Sequence, residues 1–322
     1  MFVLSILLAV SLSYAISGLA VRGIGVFAPL DVPNERSLHS RPVPRIGGAG
    51  IVAGMGASLV ATNVLALPVA LAFLLAAISL WDDWRPLPVV VRLAAHLAAA
   101  AVFCVTAIQI SPIPTVLVVV AIAWMTNLYN FMDGSDGLAG GMATIGFGTY
   151  AAAAAVAGDH ALLTVCACIA AAALAFLRFN FHPARVFMGD VGSIPLGFLG
   201  GALGAWGVVR DGWPAWFPIV VFAPFAADAS LTLLRRLLRG ERVWQAHRSH
   251  YYQRLVLMGW GHRRTALAEY ALMAITCIAG FAALFLGAVG QVVVLSVLGL
   301  GYALLVVLVD RRWAAYSRCR TV

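Results

Sequence analysis

The chain has no lysine: all 21 of its basic residues are arginine, set against 13 acids for a formal charge of +8. Charge of either sign is scarce, at 11% of 322 residues, while 62% are hydrophobic. With a mean hydropathy of +0.95, that balance excludes a soluble globular domain. No soluble basic domain is present, so nucleic acid is not an expected partner and the arginine excess reads as membrane attraction and topology. The five cysteines (Cys104, Cys166, Cys168, Cys277, Cys319) have no structural-zinc spacing. Most fall inside apolar runs, where a thiol behaves as a small buried hydrophobe.

What the chain does have is apolar length. A bilayer core of ~30 Å needs roughly 20 apolar residues per helix, and the backbone must satisfy its own polar groups there. Apolar runs near 2–21, 46–66, 68–81, 89–109, 113–129, 138–157, 160–177, 193–209, 216–234, 266–287 and 290–309 predict eleven helices, the third short. The expected fold is therefore an all-α polytopic membrane protein, a single domain over residues 1–322 without internal repeats. The first run lacks a basic start and a small-residue cleavage site, so it reads as a retained helix rather than a signal peptide.

Arginines follow the odd-numbered runs: Arg22, Arg36, Arg41, Arg45, Arg85, Arg178, Arg185, the stretch 235–264, and the tail from Arg311. Loops after even-numbered runs carry only Arg210. The positive-inside rule then puts the N-terminus outside and the C-terminus in the cytoplasm. Asp31, Glu35, Asp82, Asp83, Asp133, Asp136, Asp190 and Glu241 share the arginine-bearing loops. An active site in cytoplasmic loops is expected.

The densest of these segments runs from Asn127 to Gly141 and holds Asn130, Asp133 and Asp136 among four glycines, between two apolar runs. Asp133 and Asp136 are three apart and can face one site on a helical turn. The glycines let backbone approach a bound group and leave N–H donors free at the next helix. Metal and phosphate binding suit such a segment.

Three other loops carry acids or anion binders. Residues 31–48 hold Arg36, His39, Arg41, Arg45 and a glycine pair, which suits an anion or an ordinary basic loop. Asp82 and Asp83 end an apolar run, an expensive place for acids unless they bind a cation or take protons. Adjacent carboxylates point apart, so one is expected at the site with the other orienting a neighbour. Residues 178–193 contain Asn180, Phe187 and Asp190, the last in a Gly-Asp-x-Gly turn before a helix. Asp190 there is either a metal ligand beside a phosphate or a helix cap; Phe187 either stacks on a base or packs at the interface. The longest loop adds His247, His250 and Arg254, suited to phosphate contact. Asp228 inside the ninth run is either a functional acid or the partner of an arginine.

The pair Asp82-Asp83, the run Asn130-Phe131-Met132-Asp133-Gly134-Ser135-Asp136-Gly137-Leu138, the run Phe187 to Ser193 and the histidine loop resemble, in order, the polyprenyl-phosphate N-acetylhexosamine-1-phosphate transferases of the glycosyltransferase family 4 type. The resemblance covers roughly residues 31–260. Many members have a lysine where this chain has Ser37, and translocase-like members cluster histidines where it reads His250-Tyr251-Tyr252-Gln253-Arg254. The versions present resemble the bacterial branch that begins O-antigen-type glycans.

That resemblance implies attack by undecaprenyl phosphate on the sugar-linked phosphorus of a UDP-N-acetylhexosamine, with UMP released. It implies Mg2+, or Mn2+ in its place, on Asp190 with Asn130 or Asp133. Asp82 and Asp83 would orient or deprotonate the lipid phosphate. Asp133, Asp136 and Phe187 would face the nucleotide, His247, His250 and Arg254 would contact phosphates, and Asn180, Arg36 and His39 would also bind substrate. Membrane lipids and a homodimer are the implied partners. The alternative is an ion- or proton-coupled transporter using Asp228, Arg92 and His96.

Overall fold

The computed structural model describes residues 1–23, 29–33, 38, 41–243, 245 and 247–320. Arg36 and His39, both expected to bind substrate, lie outside the described residues. Thirteen helices run through the described chain: α1 Phe2–Arg22, α2 Gly48–Gly56, α3 Ala66–Trp84, α4 Val89–Phe103, α5 Pro112–Phe131, α6 Leu138–Ala157, α7 His160–Asn180, α8 Asp190–Val209, α9 Trp216–Val221, α10 Ala223–Leu238, α11 Tyr251–Leu255, α12 Gly261–Ala283 and α13 Ala288–Arg320. The fold is nearly all-α, as expected.

All eleven predicted apolar runs are helical, but not all as uninterrupted spans. Among the described residues nine helices are long and apolar enough to cross a membrane. The second run gives only α2 and a 3₁₀ turn at Ala57–Val60, together Gly48–Val60. The ninth breaks at Phe222 into α9 and α10, where Pro224 cannot donate its share of a continuing ladder. The third run, expected to be short, reaches full length because Trp81-Asp82-Asp83-Trp84 continue the helix. The last helix runs past the apolar stretch to Arg320, so the basic tail is helical as far as that residue.

Helix α8 is the hub. It packs on α2, α3, α5 and α6 and is mostly buried. Between helices in an apolar medium, close backbone approach substitutes for the hydrophobic drive, and small residues permit it. Gly192 of α8 lies against Gly48 of α2, and Gly197 against the backbone of Met125 and Thr126 in α5.

A two-stranded antiparallel ribbon, β1 Leu30–Asp31 and β2 Val43–Pro44, pairs Leu30 with Pro44 and Asp31 with Val43. The chain after β2 then hydrogen-bonds to the segment before α8: Phe187 N–H to Pro44 O (2.8 Å), Gly47 N–H to Phe187 O (2.9 Å) and Gly48 N–H to Met188 O (2.9 Å). These bonds bring the end of the first loop beside Asp190.

A Cβ at residue 48 would run into the Gly192 backbone and force α2 from α8. Gly48→Val is expected to cost about 1–3 kcal/mol, read as a lower melting temperature in detergent. Gly148→Ala, where a Cβ meets nothing within 4 Å, should melt no lower than the parent.

Candidate active site

A cavity of about 230 Å³ is walled by Asp31, Arg45, Asn130, Asp133 to Asp136, Asn180, Phe187, Gly189, Asp190 and His262, with Leu38 at its edge. Four segments distant in sequence thus meet, including the first loop, the Asn130–Asp136 turn and the entry to α8 that the sequence pointed to.

The turn after α5 is built by its own backbone. Asp133 N–H bonds to Asn130 O (3.2 Å), Leu138 N–H to Ser135 O (3.1 Å), and Gly137 takes a φ of 76°, open to glycine without strain. Asn130 Oδ1 accepts the Ser193 hydroxyl at 2.8 Å, tying the turn to α8. Asp133 accepts the Gly189 N–H. Burial, and next the charge of Asp190, push its pKa well above the ordinary carboxylate range, against the pull of Arg45 and that bond.

Asp136 is committed to the wall. Its Oδ2 accepts His182 Nδ1 (2.7 Å) and the Ala184 N–H (3.1 Å). His182 stacks on His262 with ring centroids 5.6 Å apart. The Leu38 carbonyl can only accept, so His262 donates from Nε2 (2.9 Å) and receives the Asp136 N–H at Nδ1 (3.4 Å). Asn180 is committed too. Its Oδ1 accepts the Gly137 N–H (3.0 Å) and one of its two Nδ2 hydrogens goes to Val186 O (2.9 Å), so this buried amide shapes the cavity and keeps at most one N–H for a ligand.

At the opposite wall one guanidinium joins two helices. Arg45 Nη2 lies 3.3 Å from Asp83 Oδ1 of α3 and 3.2 Å from Asp190 Oδ1 of α8. Burial works against the charge of Arg45, but Asp190, Asp83, Asp31 and Asp133 together raise its pKa. The second oxygen of Asp83 is buried with no hydrogen-bond partner among the described residues.

Comparison with known proteins supplies the family. Residues 65–207 match the family described as glycosyl transferase family 4. A probable undecaprenyl-phosphate N-acetylglucosaminyl 1-phosphate transferase of Bacillus subtilis is 29% identical over 293 residues, covering 84% of this chain and 80% of the relative. A decaprenyl-phosphate N-acetylglucosaminephosphotransferase of Mycolicibacterium smegmatis is 27% identical over 311 residues, 80% of this chain and 76% of the relative. A phospho-N-acetylmuramoyl-pentapeptide-transferase of Geobacillus thermodenitrificans is 34% identical over 150 residues, 46% and 44% of the two chains. The chain belongs to the polyprenyl-phosphate hexosamine-1-phosphate transferase superfamily.

For a member of that superfamily, several expected site residues lie elsewhere. Asp82 does not reach the cavity: it pairs with Arg92 at 3.1 Å and accepts the Leu87 N–H, pinning the loop after α3. Of the two adjacent acids it is Asp83 that faces Arg45. His250 is buried against Asp228, 3.1 Å from its Oδ1, and Arg254 is held by Asp310 at 3.0 Å. Neither lines the cavity, and both are occupied by carboxylates rather than poised for phosphate. His247 bonds Ser249, and burial, then His250 and Arg236, lower its pKa to about 4. It is neutral at physiological pH and can meet a phosphate only as an N–H donor.

Asp228, offered as a functional acid or an arginine partner, pairs among the described residues with His250 and not with an arginine. It caps α11, accepting the N–H groups of Tyr251 and Tyr252 at 2.9 Å each. Arg92 is taken by Asp82, and His96 is buried against Asn127. Asp228, Arg92 and His96 therefore share no pathway, and the transporter alternative is not supported.

Sequence reading put Arg45 in a possible anion-binding loop and Asp31 among the cytoplasmic acids without giving either a place in the site, and it overlooked His182 and His262. Arg45 carried a signal: it is the arginine set directly before Ile46-Gly47-Gly48, where the chain must turn into a close-packed helix. His262 carried none, standing alone after Gly261.

Asp83→Asn is expected to lower turnover by about 100-fold or more, the scale of losing a positioned acid–base or charge partner. Asp82→Asn should instead cost about 1–2 kcal/mol of stability with a much smaller kinetic loss. Steady-state rates and melting curves of the two variants separate these roles.

Proposed function

We propose that the protein transfers an N-acetylhexosamine-1-phosphate from a UDP-sugar to undecaprenyl phosphate. An oxygen of the lipid phosphate attacks the sugar-linked phosphorus, the bond to UMP breaks, and undecaprenyl-diphosphate-sugar forms. The observation that carries this reading is the Arg45 guanidinium held between Asp83 and Asp190 beside the cavity of Asn130 and Asp133. The names of the relatives, each a polyprenyl-phosphate amino-sugar phosphotransferase, support the substrate class. The His247-Arg248-Ser249-His250 version of the last loop favours the branch that starts O-antigen and related surface glycans. The site would then face the cytoplasm at the bacterial inner membrane, as the arginine distribution supports.

The acceptor is already anionic, so the chemical difficulty is bringing two anions together. Among the described residues the cavity wall has four carboxylates, from Asp31, Asp133, Asp136 and Asp190, and one guanidinium, that of Arg45. Such an excess of hard oxygen donors around a buried acid fits a divalent cation. Among the described residues no three acidic, histidine or cysteine side chains enclose a metal by themselves. That too suits Mg2+, which keeps waters and takes few protein ligands. Asp190, Asp133 and the Asn130 carbonyl would hold it; when bound it would neutralise the phosphates' charge.

The protein's own groups do the rest. Arg45 keeps Asp83 and Asp190 at a fixed separation and adds positive charge where the donor diphosphate lies. The unpartnered Asp83 oxygen orients the lipid phosphate and takes its proton if it arrives protonated. Phe187, half-buried at the cavity wall, offers a face to the uracil. Asp190, engaged by Arg45, is a poor free nucleophile, which favours direct displacement over a phospho-aspartyl intermediate.

Purified protein in detergent with undecaprenyl phosphate, Mg2+ and a panel of UDP-N-acetylhexosamines should release UMP with at least one sugar. Chelation of divalent cations should stop it, and Asp190→Asn should abolish it. Lipid-independent release, or an active Asp190→Asn enzyme, would overturn the assignment. The raised pKa of Asp133 gives a sign for pH. As pH falls this acid protonates earlier than an ordinary carboxylate, so half-saturating Mg2+ should rise on the acid side; Asp133→Asn should flatten that dependence.

A further inference from the structure

Helix α13 touches the rest of the protein lightly. None of the residues in its apolar stretch is buried. One residue near the end of that stretch is an exception in kind: Asp310 meets two arginines from two different helices. Arg235 of α10 donates to both of its oxygens, at 2.8 and 2.7 Å, and Arg254 of α11 to Oδ1 at 3.0 Å. The Tyr251 hydroxyl bonds Arg235 and reaches the same carboxylate at 3.5 Å. Arg254 is further sandwiched, its guanidinium 4.9 Å from the ring centre of Tyr251 and 5.7 Å from that of Trp313. Asp310 is thus the anion that two cations share, and α10, α11 and α13 meet on it.

From this junction contacts lead to the cavity. Arg254 Nε donates to Ser249 O at 2.8 Å, closing the segment between His247 and α11. One face of α11 is held by Asp228, which accepts its first two N–H groups. The other end of Tyr252 lies on the turn that carries Asn130 and Asp133: its hydroxyl donates to Phe131 O at 3.2 Å, against Gly134, where a Cβ would collide with it. After Leu255 the helix runs on through a π-helical turn, Val256–Trp260, and kinks at Gly259 (φ 97°) before α12. The placement of its first turn, ahead of that kink, comes from the groups that grip it, and Asp310 is one of them, through Arg254.

We propose that Asp310 is a positioning residue for the transferase site, holding α11 through Arg254 so that Tyr252 fixes the Phe131–Asp136 turn. The proposal rests on the functional reading above for its kinetic consequence, but its structural part can be read without substrate. The variant is Asp310→Asn, which keeps shape and removes the shared charge, with Asp310→Glu as the rescue and Arg254→Lys as an independent cut in the same chain of contacts.

The experiment is amide hydrogen exchange on the purified full-length protein in detergent, paired with UMP-release kinetics. The expected result is faster exchange confined to residues 249–255 and 131–137 in both Asp310→Asn and Arg254→Lys, with α6, α7 and α8 protected as in the parent. Turnover should fall about tenfold or more, the scale of a small misplacement of reacting groups, with KM for donor and acceptor unchanged. Asp310→Glu should restore both. Unchanged exchange at 131–137 would overturn the proposal, as would loss of protection spread evenly over α6 to α8 in Arg254→Lys. If the parent releases no UMP with any donor, the functional reading fails, while the exchange comparison still decides whether Asp310 holds the turn.

Discussion

Two carboxylates from different helices cannot share a low-dielectric edge without a cation between them, and here that cation is Arg45. Asp83 ends α3 and Asp190 begins α8, two helices that pack directly. Leaving either acid buried and unpaired would cost several kcal/mol. Much of the surrounding architecture serves to deliver this one guanidinium: the β1–β2 ribbon, the three backbone bonds from residues 44–48 to 187–188, and the glycines at 47, 48 and 189. Gly189 holds a φ of 68° with the Arg45 carbonyl where a side chain would be. The arginine is thereby carried on a short, fully bonded stretch of backbone rather than on a free loop.

Polar side chains near the cavity divide into those that face it with capacity to spare and those spent on scaffolding. At the wall Asp133 and Asp190 retain oxygens or charge for a ligand, and Asp83, paired with Arg45, keeps one buried oxygen unpartnered among the described residues. Asn180, Asp136, Asp228 and His250 have their bonding committed to protein partners. The division follows from burial in an apolar setting, where each unsatisfied group is costly and most polar residues are therefore consumed holding the few that remain available.

The order and helical nature of the apolar runs were legible because length and hydropathy alone decide them, and the loops that build the cavity were legible because acids are so rare in this chain. The interruption at Phe222 and the shortness of α2 were not, since hydropathy measures apolarity and is blind to a proline's missing donor or to a 3₁₀ turn. Within the site, residue type was visible and partnership was not. Asp82 and Asp83 are equivalent as letters; only the direction of α3 and the position of Arg92 one helix on distinguish the loop anchor from the site acid. His250 and Arg254 read as phosphate binders because nothing in the sequence announces that Asp228, 22 residues earlier, and Asp310, 56 residues later, will claim them.

Asn180 joins Gly137 at the start of α6 to Val186 at the approach to α8 through the two ends of one planar amide. A planar group bonded at both ends transmits displacement instead of absorbing it, so the two flanks of the cavity that it connects behave as a single rigid body. A ligand entering between them would find the entropy of ordering already removed in folding, and its binding enthalpy would not be spent drawing the walls together. On that side the cavity is pre-shaped by the fold's own hydrogen bonds.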